Sequence, residues 1–432
     1  MSKAYHKSMV PGDEKMLQNL ILPKEFVLEA TEVARVFREG LLAVGAKAAL
    51  LIVQQTMEEE ILALAGPKGK HQPGRTVGRH GSQGGFLVLG GRKVKINKPR
   101  VRTADGEIEL ESYQQFQDEQ FMNEVAMERM LHGLASRRYQ QGAEPVGDGL
   151  DTYGTSKSSV SKRFIEATES LLNQFLGRSL NEARLLVVFI DGIVLGDHTV
   201  IVALGVDGDG RKHVLGMREG TTENAAVCTA FLEDLAGRGL CAKSGLLFVV
   251  DGSKAIGKAV RDVYGEQALI QRCLVHKRRN VLDHLPERER GWVNEKLSLA
   301  WSLPDEDKAR AALEALIRSL DEKHPGAAAS LKEGLDETLT VQRLKLPAAL
   351  RRSLRTTNAI ESLNSQIRRT VRRVSRFQSG KQSLRWAAVG ALEVEPKLYR
   401  QMGFRQLPLL AEALEVHVSK VIELASRKSQ VG

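Results

Sequence analysis

The chain has 432 residues, 42% hydrophobic and 27% charged, which allows two or three domains with sizeable cores and excludes a disordered or low-complexity chain. The formal net charge of +10 and pI near 9.4 point to a polyanionic partner, and the position of the charge decides which face meets it. Three cysteines, Cys228, Cys241 and Cys273, exclude a disulfide framework and indicate a reducing compartment. The opening MSKAYHKSMVPGDEK lacks the apolar core of a signal peptide. No run of about 18 apolar residues marks a transmembrane helix, so a cytoplasmic protein without membrane contact is expected.

Residues 1–65 form an N-terminal region with helical spacing of apolar residues from about residue 26, ending at the breaker Gly66-Pro67. Residues 66–112 change character. No Asp or Glu occurs from Ile61 to Ala104, while Lys and Arg recur. FLVL, the pair Gly90-Gly91 and RKVKIN read as a β-hairpin. Val94 and Ile96 alternate with Lys93 and Lys95, which gives one basic face. A solvated face gives the same pattern; the lack of acids favours phosphate contact by Lys93 and Lys95.

Residues 113–180 read as helices. EQFMNEVAMERMLHGLASRRYQQGAEPV holds Gly133, which can split it, and is followed by the loop GDGLDTYGT and the helix SKSSVSKRFIEATESLLNQFLG. A short helix, a turn and a helix opening with Lys157, Lys162 and Arg163 has the form of a helix-turn-helix reader of DNA, although plain helical packing gives the same string.

Residues 181–280 alternate strands and helices. LLVVFIDG (185–192) and LLFVVDG (246–252) are short apolar runs closed by Asp-Gly. Such runs predict strands buried on both faces, each delivering a carboxylate, Asp191 or Asp251, where the strand leaves the core. Asp-Gly is also a common turn dipeptide with no chemical role. Between these runs, strands at 199–206 and 212–217 flank the turn Asp207-Gly208-Asp209-Gly210, and a helix follows to about Leu235. After Asp251 come a helix (Lys254–Tyr264) and a strand (268–273). Three strands in meander, then helix, strand, helix, strand, is the order of an RNase H-like sheet, in which the first and fourth strands are neighbours. Cys273 and His276 have the spacing of half a zinc site, but no second pair stands nearby, and a buried thiol beside a helix-terminal His is the favoured reading.

Residues 281–350 predict an all-helical insertion with Trp292, Trp301 and Leu/Ala stripes. In residues 351–390 a helix carries Glu361, the one acid between Thr338 and Leu392, with Ile360, Leu363, Ile367, Val371 and Val374 on one face. Thr356, Thr357 and Asn358 fit its N-cap, and a Glu in the first turn suits the helix dipole by itself. The same Glu among Arg355, Arg368, Arg369, Arg372 and Arg373 is what a metal-dependent phosphoryl-transfer enzyme requires: an acid for metal, arginines for a DNA backbone. Residues 391–432 are C-terminal helices whose apolar stripe, Leu410, Leu414, Val418, Val421 and Leu424, serves packing or self-association. The expected fold class is α/β: an RNase H-like mixed sheet with an all-helical insertion, preceded by a mostly helical DNA-binding region with a small β-hairpin.

FIDGIVLGDH, VALGVDGDGRKHVLGMREGTTENA, VVDGSKAIGKAV, QRCLVHKRRNVLDHLP and TTNAIESLNSQIRR, in this order, resemble the Mutator-type transposases of bacterial insertion sequences. GGRKVKINKPRVR and TSKSSVSKRF also look like that family. The resemblance implies an Asp-Asp-Glu triad of Asp191, Asp251 and Glu361 as catalytic and metal-binding residues on an RNase H-like core. It places Cys273, His276 and Asn358 in signatures beside the site. It further implies Mg²⁺ as cofactor, with Mn²⁺ able to substitute, and double-stranded DNA as partner, both the terminal inverted repeats and the target. A homodimer or higher oligomer follows by analogy, in the bacterial cytoplasm and on the nucleoid when bound to DNA. The rival readings are an RNase H-like nuclease or resolvase, which cuts without joining, and a non-catalytic, domesticated DNA-binding regulator.

Overall fold

A computed structural model of the protein describes residues 40–69, 74, 76–142, 146, 150–372, 374 and 376–431. The chain divides into two units, Met1–Ala167 and Thr168–Gly432. In the first, α1 (Leu41–Ala65) lays Leu50, Val53, Met57, Ile61 and Ala65 on a hairpin of β1 (Gly78–Leu89) and β2 (Arg92–Arg102). The part of the expected helix before residue 40 lies outside the described residues. Gly90 and Gly91 have φ of 58° and 76°, the left-handed pair that a two-residue hairpin turn needs to match strand twist. Val94 and Ile96 are buried in the contact with α1, and Lys95 points to solvent, as the alternation predicts.

β3 (Glu107–Ile108) extends this sheet, followed by α2 (Glu111–Gln115) and α3 (Glu119–Leu131). Asp118 caps α3 by accepting from the Phe121 N–H. Gly133, at φ 95°, ends the helical run. Here the structure departs from the expected helix-turn-helix. Residues 136–138 make only a 3-10 turn, and Thr152–Tyr153 form β4, paired with Lys93 and Val94 of β2. The β-branched and aromatic pair joins the sheet edge, so the segment before α4 (Lys157–Gly177) is not a tight interhelical turn. Helix α4 crosses the boundary between the units.

The second unit is built on β5 (Leu185–Leu195), β6 (His198–Asp207), β7 (Lys212–Glu219), α5 (Ala225–Gly237), β8 (Leu246–Val250), α6 (Lys254–Tyr264) and β9 (Ala268–Arg272). The five strands lie in the order β7-β6-β5-β8-β9. The meander β5-β6-β7 is antiparallel; β5 with β8 and β8 with β9 are parallel. The residues of β8 and those from Leu186 to Ile190 are buried, as unbroken apolar runs require. Helices α5 and α6 cover one face, packing Phe231, Leu235, Ile256 and Val260 against Val188, Ile190 and Phe248. One expectation is corrected: β5 does not stop at Asp191-Gly192. It continues to Leu195, with Asp191 opposite Val202 and Gly192 opposite Ile201, because Ile193 and Leu195 are core residues and β6 is long enough to pair them.

The helical insertion begins earlier than expected, with α7 (Leu274–Asp283), and continues through α8 (Glu287–Ser302), α9 (Glu306–Asp321), α10 (Pro325–Lys332) and the short α11 (Leu335–Thr338) and α12 (Thr340–Arg343). It has its own core, including Leu297, Trp301, Leu313, Leu320 and Leu331. The chain then returns to the sheet through α13 (Ala348–Leu354), α14 (Asn358–Val371) and α15 (Gly380–Val394), before α16 (Leu407–Val431). Helix α14 lies against β5, and α15 against β6 and β7, which covers the other face. On α16 the stripe is buried at Leu410, Leu414 and Val418 but open at Leu424. Among the described residues no helix is long and apolar enough to cross a membrane, and all three cysteines are free.

Phe248→Ala empties a fully buried site of the sheet and is expected to cost about 3–5 kcal/mol. Leu424→Ala, at an exposed position, is expected to change stability by less than about 0.5 kcal/mol. Urea unfolding of the full chain measures both; a large loss for Leu424→Ala would mean that its helix face is covered in solution.

Candidate active site

The parallel register sets Ile190 beside Val250, so Asp191, within β5, and Asp251, the residue just past β8, are brought to one place. The turn after β8 is tightly specified. Asp251 accepts the Ser253 N–H at 2.9 Å, and Ser253 caps α6 while donating its hydroxyl to the Thr222 carbonyl. Gly252 has φ 110°; a Cβ there would lie 2.1 Å from Arg272 Nε. Buried Arg272 donates to the Gly252 carbonyl at 3.0 Å and the Glu333 carbonyl at 3.2 Å. Lys277, fully buried, donates to the Ser330 and Glu333 carbonyls. Burial, then the charge of Arg272, pulls its pKa down to about 8. The turn that carries Asp251 is thereby fastened to the helical insertion.

Glu361 comes from α14, in its first turn. Thr357 precedes the helix, but its hydroxyl makes no backbone cap. It lies 2.6 Å from Glu361 Oε1, 3.2 Å from Cys273 Sγ and 3.4 Å from His276 Nδ1. A hydroxyl has one proton, and the shortest contact, to the carboxylate, takes it. Its lone pairs are left to accept from His276. The Thr357 N–H donates to Cys273 Sγ at 3.4 Å. Cys273, His276 and Glu361 bring their ligand atoms within 4.8 Å of one another. One turn after Glu361, buried Asn364 donates Nδ2 to Asp191 Oδ2 at 2.9 Å, and its Oδ1 has no partner.

The charges are coupled. Burial raises the Asp191 carboxyl above its ordinary 3.8; the charges of Asp251 and Glu361 add to this, and hydrogen bonds from Gly192 and Asn364 oppose it. Burial would raise the Cys273 thiol, but hydrogen bonds with His276 and Thr357 outweigh it and bring it below its ordinary value. His276 is pushed up to about 9 by its bond to Cys273 and by the charges of Cys273, Glu361 and Asp251, against burial. Cys273 and His276 thus favour each other's charged forms beside the acids.

The expected DNA contacts are placed unequally. Lys157, Lys162, Arg368, Arg369 and Arg372 are exposed, and Arg355 is half-buried. Arg373 lies outside the described residues. Lys95 is exposed, 3.9 Å from Asp151. Lys93 pairs with Glu119 and lies 4.0 Å above the Phe86 ring. Arg163 is a correction: it is buried and held by the Gly154 carbonyl, so it braces the loop before α4 and presents nothing to DNA. Asn358 is exposed at the first position of α14. Thr357 entered the sequence reading only as a cap, while Asn364 and Arg272 had no place in it. Asn364 leaves one trace in the sequence, a polar residue on the buried stripe between Leu363 and Ile367.

Enzymes that move mobile DNA are the class to which these motifs point, and comparison with known proteins gives the same answer. The family model described as Transposase, Mutator family, matches residues 29–395. The chain is similar to the transposase for insertion sequence element ISRM5 of Rhizobium meliloti (strain 1021), 32% identical over 354 residues covering 80% of this chain and 85% of that protein. It is also similar to the transposase for IS6120 of Mycolicibacterium smegmatis, 32% identical over 254 residues, 57% of this chain and 76% of that protein. The transposase for ISRM3 of Rhizobium meliloti (strain 1021) is 29% identical over 310 residues, 69% of this chain and 74% of that protein. The chain belongs to the Mutator family of transposases.

A carboxyl whose folded pKa is raised binds more protons in the folded than in the unfolded state, so its contribution to stability falls as pH rises above about 3.8. In EDTA, Asp191→Asn is expected to melt higher than wild type by about 2–4 °C. The difference should be small near pH 4 and widen with pH to a plateau; a lower melting temperature for the variant would remove the repulsion argument. Gly252→Ala, with its Cβ on Arg272, is expected to cost about 2–4 kcal/mol in urea unfolding.

Proposed function

We propose that this transposase binds the terminal inverted repeats of an insertion sequence and cleaves and joins DNA strands with Asp191, Asp251 and Glu361 as its catalytic acids. The observation that carries the reading is geometric: the parallel register of β5 and β8 sets Asp191 beside Asp251, and α14, which bears Glu361, lies against β5 with Asn364 bonded to Asp191. The charges of Asp251 and Glu361 also disfavour the charged form of Asp191, and a divalent cation would relieve that repulsion. The strand order β7-β6-β5-β8-β9, with acids in β5 and just past the adjacent β8, supports an RNase H-like core.

The donor set fits Mg²⁺. Asp191, Asp251 and Glu361 offer hard oxygen ligands, and the unpartnered Oδ1 of Asn364 adds one more oxygen beside Asp191. Cys273 and His276 would suit a softer ion and are engaged with Thr357. Mg²⁺ held by these acids would supply Lewis acidity at the phosphodiester and ease deprotonation of the attacking water or 3′-hydroxyl. The chain's residues do the rest. Asn364 fixes one oxygen of Asp191. Thr357 holds Glu361 Oε1, so the carboxylate keeps its rotamer. The exposed Arg368, Arg369 and Arg372 on and beyond α14 contact the DNA backbone. Cleavage forms a P–O bond from water and breaks the bond to the 3′ oxygen; joining repeats the exchange with the freed 3′-hydroxyl as nucleophile. Joining two ends requires both in one complex, which favours a homodimer or higher oligomer.

Strand cleavage and transfer on a labelled duplex carrying the element's end tests this. Wild type with Mg²⁺ is expected to nick and join. EDTA, Asp191→Ala or Glu361→Ala should each lower the rate by more than about 10³-fold, with DNA affinity largely retained. Nicking without joining would favour the resolvase reading, and tight binding without cleavage in any metal would favour the regulator.

A further inference from the structure

Four arginines come together where the start of α7 is bonded to the end of α13 through the Leu274 N–H and the Arg355 carbonyl: Arg278, Arg351, Arg352 and Arg355. Burial, then the charges of Arg278, Arg352 and Arg351, hold Arg355 below its ordinary pKa. Among the described residues, no carboxylate pairs with any of the four. Neighbouring arginines of the insertion differ: Arg261 meets Glu337, Arg310 meets Glu306 and Asp336, and Arg343 meets Glu306. The cluster is anchored by uncharged groups instead. Arg278 lies 5.8 Å above the Trp301 ring, and Arg351 donates to the Leu303 carbonyl at 3.2 Å, both at the C-terminal end of α8. The Arg355 carbonyl accepts the Leu274 N–H at 2.9 Å.

Like charges held together without a counter-charge cost free energy, and the cost is recovered when an anion binds. The place of the cluster suggests which anion. Arg355 stands two residues before Thr357, whose hydroxyl holds Glu361, and it is bonded to the residue after Cys273. A group bound here adjoins the segment that holds Glu361. Arginine forks match phosphate oxygens in shape as well as charge.

We propose that Arg278, Arg351, Arg352 and Arg355 form a phosphate seat that takes a backbone phosphodiester of the DNA strand flanking the reacting one. The identity of the ligand rests on the reading of the three acids as a DNA-cleaving site; the existence of an anion seat does not. The seat is separate from the exposed arginines of α14 and was not apparent in sequence, where Arg278 lies far from the other three.

The test uses the full chain, as wild type, Arg352→Gln, Arg355→Gln and the double variant, with Arg427→Gln on the exposed end of α16 as control. Melting temperatures are compared in chloride and in inorganic phosphate at equal ionic strength. Affinity for a duplex carrying the element's end is measured against salt. In chloride, Arg355→Gln and Arg352→Gln should melt at or above wild type, because repulsion is relieved. Phosphate should stabilise wild type and not the double variant. Each single variant should bind DNA about ten-fold more weakly at physiological salt, with the slope of log K against log salt flattened by about 0.9 per lost contact. Arg427→Gln should behave as wild type throughout. Variants that keep the wild-type slope and phosphate response overturn the seat while leaving the DNA reading intact. A wild type that responds to phosphate but does not bind the duplex overturns DNA as the ligand.

Discussion

The parallel pairing of β5 with β8 is the contact on which the site depends. It joins two apolar segments far apart in sequence and fixes their register, Ile190 beside Val250. A slip of one residue would turn every side chain of β8 to the opposite face. The core forbids that slip, since both faces of the strand are packed. Two aspartates are therefore held together by hydrophobic burial that has no chemical role of its own. Their mutual repulsion is borne by the core, and Asn364 and the Gly192 N–H offset part of it.

The third acid is held differently. Glu361 is positioned by a helix whose apolar stripe, Ile360, Leu363, Ile367 and Val371, is buried. Its carboxylate is tied by Thr357 to Cys273 and His276, which belong to α7 and the residue before it. Cys273 and His276 both adjoin the Thr357 hydroxyl that holds Glu361, so the Cys-x-x-His segment lies directly behind that acid. Arg272 and Lys277 act in the same way on the other side, binding carbonyls at Gly252, Ser330 and Glu333.

Much of this was legible in the chain. LLVVFIDG and LLFVVDG were legible as strands because the runs are short, rich in Val and Phe and closed by Asp-Gly, and the Gly90-Gly91 hairpin followed from turn chemistry alone. TTNAIESLN gave the Glu361 helix from its periodicity. Other features were hidden for physical reasons. Where β5 ends depends on how far β6 pairs with it, which is a property of two strands. The helix-turn-helix pattern failed because Thr152-Tyr153 found a sheet edge, a tertiary event that local propensity does not report. Arg163 and Arg355 look alike in sequence, yet one is spent on a carbonyl and the other has no acid partner; only the packing distinguishes them. Asn364 on an apolar stripe was the one buried polar group that the pattern alone could have flagged.

The helical insertion lies between Asp251 and Glu361 along the chain, and this order governs when the site comes into being. During synthesis the strands bearing Asp191 and Asp251 emerge first, and the segment with Glu361 follows only after the insertion has been made. Assembly of the three acids waits for long-range closure, the slow kind of contact in folding. A nascent or C-terminally truncated chain that stops within the insertion lacks α14 and α15, which cover one face of the sheet, and carries only two of the three carboxylates. Completion of the polypeptide thus sets when the three carboxylates can first come together.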